Sequence, residues 1–330
     1  MTGVGRVGVV GGGAWGTALA NAAAAAGRDV TLWMRDGDAA AAAGRTRVNA
    51  RGLPGVVLHD RVAPSADPAA LGGTDACLVA VPAQATRAVL AALRPSIPAG
   101  APLVLCGKGI ERGSGAFLGA VAAAAAPEHR AAILSGPGFA GDVARGLPTA
   151  VTLAAEDARL ARALAASLSG PNLRVYFGTD VRGVEIGGAA KNVLAIAAGA
   201  VAGRGLGESA KAALVARGFA ELLRFAAAEG ARPETLMGLS GLGDLVLTCG
   251  SPQSRNFALG VRLGAGASVA EALSGPLAEG AWTAEALVGR ARARGVEMPI
   301  CEAVSDLVAG RLDVAAALDR LMSRPLGPES

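Results

Sequence analysis

The sequence predicts an α/β chain in two parts: a mostly parallel sheet with helices on both faces, then an all-helical half. Three observations predict it. Short, near-continuous apolar runs alternate with helical stretches through the first half, as strands buried on both faces do. The first run ends in a glycine-rich turn that passes straight into an alanine-rich helical stretch. Beyond about residue 180 the strand signals stop and long helical stretches follow. At 330 residues the chain can bury two cores. The reading is a dinucleotide-binding domain over 1–180 and a helical substrate and catalytic domain over 181–330, with the break near 178–184.

In chain order, the strands are Val7–Val10, Val30–Met34, Ala76–Val81, Leu103–Cys106 and Ala132–Leu134, with Thr149–Leu153 and Arg174–Phe177 as further strands. Helices such as Thr17–Ala26 and Gln84–Leu93 lie between them. Asp180 reads as the cap of a helix running through Glu185, Lys191 and Val201, followed by Ser209–Ala228 and shorter helices up to Met322. Poly-alanine stretches fill helix positions, alanine being the best helix former.

The turn is Gly11-x-Gly13-x-x-Gly16. In a chain with 48 glycines that pattern alone would be weak; the strand before it and the helix after it make it a Rossmann-type dinucleotide turn. Gly11 allows the tight turn, Gly13 lets the backbone approach a pyrophosphate, and Gly16 lets helix and strand pack closely. The helix N-terminus offers free N–H groups and a positive dipole end to the phosphates. At the tip of the second strand stands Arg35, followed by Asp36. An arginine there favours a 2′-phosphate through charge-assisted hydrogen bonds, so NADPH is expected to bind at least as well as NADH. The alternative is a solvated Arg35 beside Asp36.

Composition narrows the partners. Hydrophobic residues make up 52%, but alanine dominates that figure, so the positive mean hydropathy is a poor membrane signal. The most apolar stretch, Val193–Gly203, is bracketed by Lys191 and Arg204 and reads as too short to span a bilayer, so no stable membrane insertion is expected. The N-terminus does not resemble a secretory signal, and a cytoplasmic protein is expected. Net charge is +4, the basic residues are dispersed and aromatics are 3%, which disfavours nucleic acid and suits a small anionic substrate. Cys77, Cys106, Cys249 and Cys301 are scattered, and His59 and His129 lie in unrelated stretches. Metal-site spacing is absent, and reduced, mostly buried thiols are expected. The oligomeric state is left open, a homodimer included.

Five further stretches carry a resemblance. They are Val81-Pro82-Ala83-Gln84, Gly107-Lys108-Gly109-Ile110-Glu111, Leu134-Ser135-Gly136-Pro137-Gly138-Phe139-Ala140, Gly187–Gly199 (GGAAKNVLAIAAG), and Gly238–Cys249 (GLSGLGDLVLTC) continued by Ser254-Arg255-Asn256. With the N-terminal turn, and in this order, they make the whole chain resemble the bacterial NAD(P)-dependent glycerol-3-phosphate dehydrogenase family. The resemblance implies a helical half like the 6-phosphogluconate dehydrogenase C-terminal domain. It also implies NADPH or NADH as cofactor and reversible reduction of dihydroxyacetone phosphate to sn-glycerol 3-phosphate for phospholipid synthesis.

Residue chemistry and the resemblance combine at Lys191. It sits in an apolar helical stretch one turn after Gly187 and Gly188, and glycines there suggest close approach by a backbone or ligand. Low dielectric lowers a lysine's pKa and makes it usable as a base; the resemblance makes it the group that exchanges the hydroxyl proton. The alternative is a lysine snorkelling from a helix edge. Asp244 and Thr248, four apart, share a helix face, and the resemblance places them near the lysine, with Asn192 as a polar positioning group. Asp244 could also cap the helix after Gly241-Leu242-Gly243. Lys108 follows a strand at the carboxyl edge of the sheet; the resemblance makes it a contact to substrate and cofactor, the alternative an ordinary loop lysine.

Arg255 and Asn256 fall at a helix start, where a guanidinium and free N–H groups suit a phosphate dianion. The resemblance uses Ser254-Arg255-Asn256 at substrate and cofactor; a surface arginine is the alternative. It further implies substrate contacts at Gly136 and Gly138, and cofactor contacts at Ala14, Trp15, Ala140, Leu277 and Glu279. This chain departs from the usual family pattern at Gly138 (Thr or Ser), Ser209 (Asn) and Ala14 (Ser). Two rivals stand beside this reading: a β-hydroxyacid or ketopantoate-type reductase, and a non-catalytic NADP(H) sensor on the same fold.

Overall fold

A computed structural model of the chain describes residues 4–323. Its sheet holds β1 (Arg6–Val10), β2 (Asp29–Trp33), β3 (Val62–Ser65), β4 (Ala76–Val79), β5 (Leu103–Leu105), β6 (Ala131–Ser135), β7 (Thr149–Ala154) and β8 (Leu173–Gly178). The order is β3-β2-β1-β4-β5-β6-β7-β8, parallel throughout except where β6 meets β7. Alternation along the strands feeds two cores. Val7, Val9, Leu32, Leu78 and Val104 face one side, and Val10, Cys77, Val79, Leu103 and Leu105 face the other. Both faces are therefore buried under helices, which is why the strands read as unbroken apolar runs.

β3 has no counterpart among the expected strands. Its sequence, V-A-P-S, carries Pro64, which cannot donate to a ladder and so is tolerated at a sheet edge; β3 is the first strand of the order. Strand order reverses between β1 and β4, the crevice where α/β sheets take ligands.

Seven helices complete the first part and open the second: α1 (Ala14–Ala25), α2 (Gly37–Thr46), α3 (Thr86–Leu93), α4 (Leu118–Ala125), α5 (Ala140–Ala144), α6 (Ala158–Leu168) and α7 (Val181–Gly203). Then come α8 (Glu208–Ala228), α9 (Pro233–Met237), α10 (Asp244–Cys249), α11 (Arg255–Gly264), α12 (Val269–Leu273), α13 (Glu279–Ala293), α14 (Pro299–Val308) and α15 (Val314–Met322). A wide, π-type turn over Leu239–Gly243 leads into α10. α1 begins at Ala14, three residues before the expected start, so Gly16 lies inside the helix.

The chain divides into two compact units. The sheet unit takes the chain up to Gly107 together with Phe117–Val184; the helical unit takes Lys108–Ala116 and the chain from Glu185 on. The helical unit thus includes an excursion from the strand region, which no single cut along the sequence contains.

Asp180 caps α7, its carboxylate accepting the Gly183 N–H at 2.9 Å. The expectation that the apolar stretch here is too short to span a bilayer is corrected by α7 itself: its 23 residues are long and apolar enough to cross one by length and composition. Within the protein, 89% of that apolar window is buried. Glycine lets α11 reach its backbone: a Cβ at Gly199 would stand 2.1 Å from the Phe257 carbonyl oxygen. That contact fixes where the start of α11 can lie.

Candidate active site

Site residues fall into two sets, one in each unit. In the sheet unit the glycine turn joins β1 to α1. Gly11 has φ +120°, and a Cβ on it would come within 2.7 Å of the Ala80 carbonyl oxygen. A Cβ on Gly16 would stand 1.9 Å from the Gly11 oxygen, so no larger residue fits. At Gly13 a Cβ would meet nothing within 4 Å, and Gly13 precedes α1 without a side-chain cap. First-turn N–H groups beside open space are what a pyrophosphate needs, so these residues fit a dinucleotide. Asn49, unmarked in the sequence, braces the turn: its Nδ2 donates to Gly12 O and Thr17 Oγ1, both at 2.8 Å. It lies more than thirty residues downstream, with no local pattern to mark it.

Trp15 and Ala140 pack against the core of the sheet unit, Ala140 opening α5. Gly136 has φ +150°, and a Cβ there would stand 2.8 Å from Val151 Cα. At Gly138 a Cβ would lie 3.3 Å from Thr149 Cγ2 and 3.4 Å from the Trp15 ring. A side chain there would need Thr149 to give by only a few tenths of an ångström, so nothing in the structure explains the departure from Thr or Ser. Arg35 is exposed just beyond β2. Asp36 does not pair with it: its carboxylate caps α2, accepting the Ala39 N–H at 3.0 Å, and bridges to Arg51. The Ala39 hydrogen bond, with Arg51 and Arg35 nearby, holds that carboxyl below its usual pKa.

The helical unit gathers the charged set. Lys191 is 6% exposed on α7. Its Nζ donates to Asp244 Oδ1 at 2.9 Å and to Thr248 Oγ1 at 2.6 Å. Thr248 in turn donates to Asp244 Oδ1 at 3.2 Å, one helical turn away. Lys108 Nζ reaches the other carboxylate oxygen, Asp244 Oδ2, at 2.5 Å. Asp244 is therefore a shared counter-ion to two ammonium groups. It does not cap α10: the helix begins at Asp244 itself after Gly243, with no side-chain cap. Gly187 admits this geometry, since a Cβ on it would strike the Ser240 carbonyl at 2.5 Å, in the turn that leads to Asp244.

Burial pushes the Lys191 pKa down, the Asp244 carboxylate opposes this and Lys108 adds to it, leaving it at about 8. Burial works to raise the Asp244 carboxyl, but the ammonium groups of Lys108 and Lys191 outweigh it and hold the pKa below the usual value. Burial likewise drives the Cys249 thiol up to about 12, so it stays protonated.

Asn192 braces the group from α7. Its Nδ2 donates to Lys108 O at 3.2 Å and to Gly188 O at 3.3 Å, and its Oδ1 accepts from Asn256 Nδ2 at 2.8 Å. Asn256 Oδ1 accepts the Gly280 N–H at 2.9 Å. Ser254 is the N-cap of α11, its buried hydroxyl accepting the Phe257 N–H at 3.2 Å. The Ser254 hydroxyl and the Asn256 amide thus have structural partners inside the unit. Arg255, by contrast, is exposed on the first turn, beside N–H groups that have no carbonyl within their own helix. Glu279 opens α13, half-buried, and Leu277 is exposed just before it.

A model of the N-terminal part of NAD-dependent glycerol-3-phosphate dehydrogenases matches residues 6–161, and a model of their C-terminal part matches residues 180–319. Glycerol-3-phosphate dehydrogenase [NAD(P)+] of Methylobacterium radiotolerans is 62% identical over 325 residues, 98% of each chain. Its counterpart in Azorhizobium caulinodans is 60% identical over the full length of both. The crystal structure of glycerol-3-phosphate dehydrogenase from Coxiella burnetii matches with a TM-score of 0.92 at 36% identity, over 97% of this chain and 99% of that one. A ketopantoate reductase from Ralstonia eutropha, at TM-score 0.59 and 21% identity, shares the fold alone. The chain belongs to the NAD-dependent glycerol-3-phosphate dehydrogenase family and is an NAD(P)-dependent oxidoreductase.

Proposed function

We propose that this protein reversibly reduces dihydroxyacetone phosphate to sn-glycerol 3-phosphate, the backbone of glycerophospholipids, and does so in the cytoplasm. One observation carries the mechanism: a buried lysine whose proton is poised by a carboxylate shared with a second lysine. When bound, the nicotinamide cofactor supplies the hydride that adds to the central carbon of the ketone. Lys191 gives its proton to the oxygen as negative charge develops there. Two of its three N–H donors are committed to Asp244 and Thr248, so one is left for that oxygen. Lys108 polarises the same oxygen, while Asp244 keeps two neighbouring ammonium groups compatible. Arg255 and the first turn of α11 hold the phosphate, and Asn192 and Asn256 act as braces. Gly136 and Gly138 border the substrate, and Ala140, Leu277 and Glu279 contact the cofactor with the residues of the glycine turn. In the reverse direction neutral Lys191 takes the hydroxyl proton.

The test is NADPH oxidation with dihydroxyacetone phosphate, and its reverse, across a range of pH. Glycerol 3-phosphate oxidation needs the neutral amine, so its rate is expected to rise with pH and level off above about 8. Ketone reduction needs the ammonium and is expected to decline above the same point. Absence of turnover with this ketone would remove the proposal.

Arg35 is proposed to read the 2′-phosphate. Arg35→Asp is expected to lower the NADPH-to-NADH preference by about 10- to 100-fold, the worth of one charge-assisted hydrogen bond. Specificity constants for both cofactors check it; an unaltered ratio rules out the role.

A further inference from the structure

The segment that carries Lys108 is secured at its far end by residues outside the reacting group. Glu111 N donates to Ala116 O at 2.9 Å and Gly115 N to Glu111 O at 3.0 Å, which closes residues 111–116 into a compact loop. Arg290, on α13, grips that loop: its Nη1 donates to Gly115 O at 3.0 Å. The guanidinium's other arm donates to Glu229 Oε2 at 2.6 Å. Glu229 follows the last residue of α8, and its side chain is only 2% exposed. Its second oxygen accepts from Arg294 Nε at 3.1 Å. From the loop, Arg112 lies 4.6 Å over the ring of Trp282 on α13, and Ile110 is fully buried. At the near end of the segment, Asn192 holds the Lys108 carbonyl and Asp244 holds its ammonium.

Between residues 107 and 115 the chain carries four glycines, at 107, 109, 113 and 115. Glycine-rich backbone loses much freedom on ordering, so a placed ammonium there needs an external hold. A guanidinium can meet a carbonyl and a carboxylate at once in a fixed fork; an ammonium is a single point.

We infer that Arg290, oriented by Glu229, is a positioning residue for Lys108, setting where its ammonium meets Asp244 and the substrate oxygen. This rests on the reaction proposed above.

The experiment is a double-mutant cycle on the full-length enzyme. Arg290→Lys preserves charge opposite Glu229 but loses the fork. It is expected to cut kcat/KM for dihydroxyacetone phosphate by about 10- to 100-fold, the effect of roughly an ångström of misplacement. In a Lys108→Ala background the same change should alter turnover by less than about twofold, because its target is gone. A second readout separates positioning from mere support. As Lys108 withdraws, Lys191 loses a like-charged neighbour, so the pH profile of glycerol 3-phosphate oxidation should move to higher pH. Glu229→Gln, which loosens the tether from its other side, should move both readouts the same way.

Full activity and an unmoved profile in Arg290→Lys, or an equal loss with and without Lys108, would overturn the inference. So would failure of both Arg290→Lys and Glu229→Gln to fold, which would make the tether a scaffold only. A wild-type enzyme inactive on the ketone would instead overturn the reaction itself.

Discussion

Lys191→Ala is expected to lower turnover in both directions by about 10²–10⁴-fold, the range that positioned acid–base groups supply. Cofactor affinity should be unchanged, because Lys191 is not among the residues assigned to the cofactor. The fold should survive as well. Asp244 keeps its ion pair with Lys108 at 2.5 Å, so no buried carboxylate is stranded. Steady-state kinetics together with a cofactor titration separate the outcomes. Retained turnover would take this lysine out of the mechanism, and lost cofactor binding would mean that the variant is misfolded. Lys191→Met offers a control of similar length without a proton, and should match the alanine variant.

Asp244→Asn has the largest expected effect on stability. The carboxylate is 1% exposed and is the counter-ion of two lysines. Removing its charge strands two ammonium groups in a poorly hydrated site, and breaking such a buried pair costs about 3–5 kcal/mol. The cheapest relief is for Lys191 to lose its proton, so its pKa should fall below the native value of about 8. Ketone reduction at neutral pH should then collapse with it, while any residual glycerol 3-phosphate oxidation should reach its plateau at lower pH.

The sign of the stability effect follows from the pKa shifts. Asp244 titrates below its ordinary 3.8 in the folded protein, so its stabilisation is complete above that value. It is lost as pH falls through the lower native pKa. The gap in melting temperature between wild type and Asp244→Asn should therefore be widest at neutral pH and close in strong acid. Lys191 gives a slope of the same sign in a more alkaline window. Its pKa is depressed from 10.5 to about 8, so between those values the unfolded chain holds the extra proton and stability rises with pH. Thermal melts across pH check both. A gap that persists undiminished in acid would show that Asp244 acts through something other than its charge.

How much of this was legible in the chain depends on the range of each interaction. The glycine turn could be read because its requirements are local: a strand, a tight turn and a helix start within ten residues. The strands buried on both faces could be read because each is a short apolar run. β3 could not, since its proline argues against a strand unless the sheet edge is already known. The true start of α1 is not legible, since an interior glycine lowers helix propensity, whereas here Gly16 is required by contact with the Gly11 oxygen.

Lys191 and its glycines, Lys108 in its loop, and Asp244 with Thr248 were marked by residue type, spacing and family resemblance. Their arrangement was not. Hydrogen bonding fixed that Asp244 serves two lysines instead of capping its helix. It also turned the Ser254 hydroxyl and the Asn256 side chain inward. Asn49, Glu229 and Arg290 carried no signal at all, because their partners lie tens of residues away in sequence. Local backbone demands and hydrophobic period are written along the chain, and they determined the architecture, while residue type and family resemblance marked the proposed reacting groups. Pairing between distant polar groups has no period to betray it. Only folding, which buries those groups and obliges each to find a partner, decided which charge meets which.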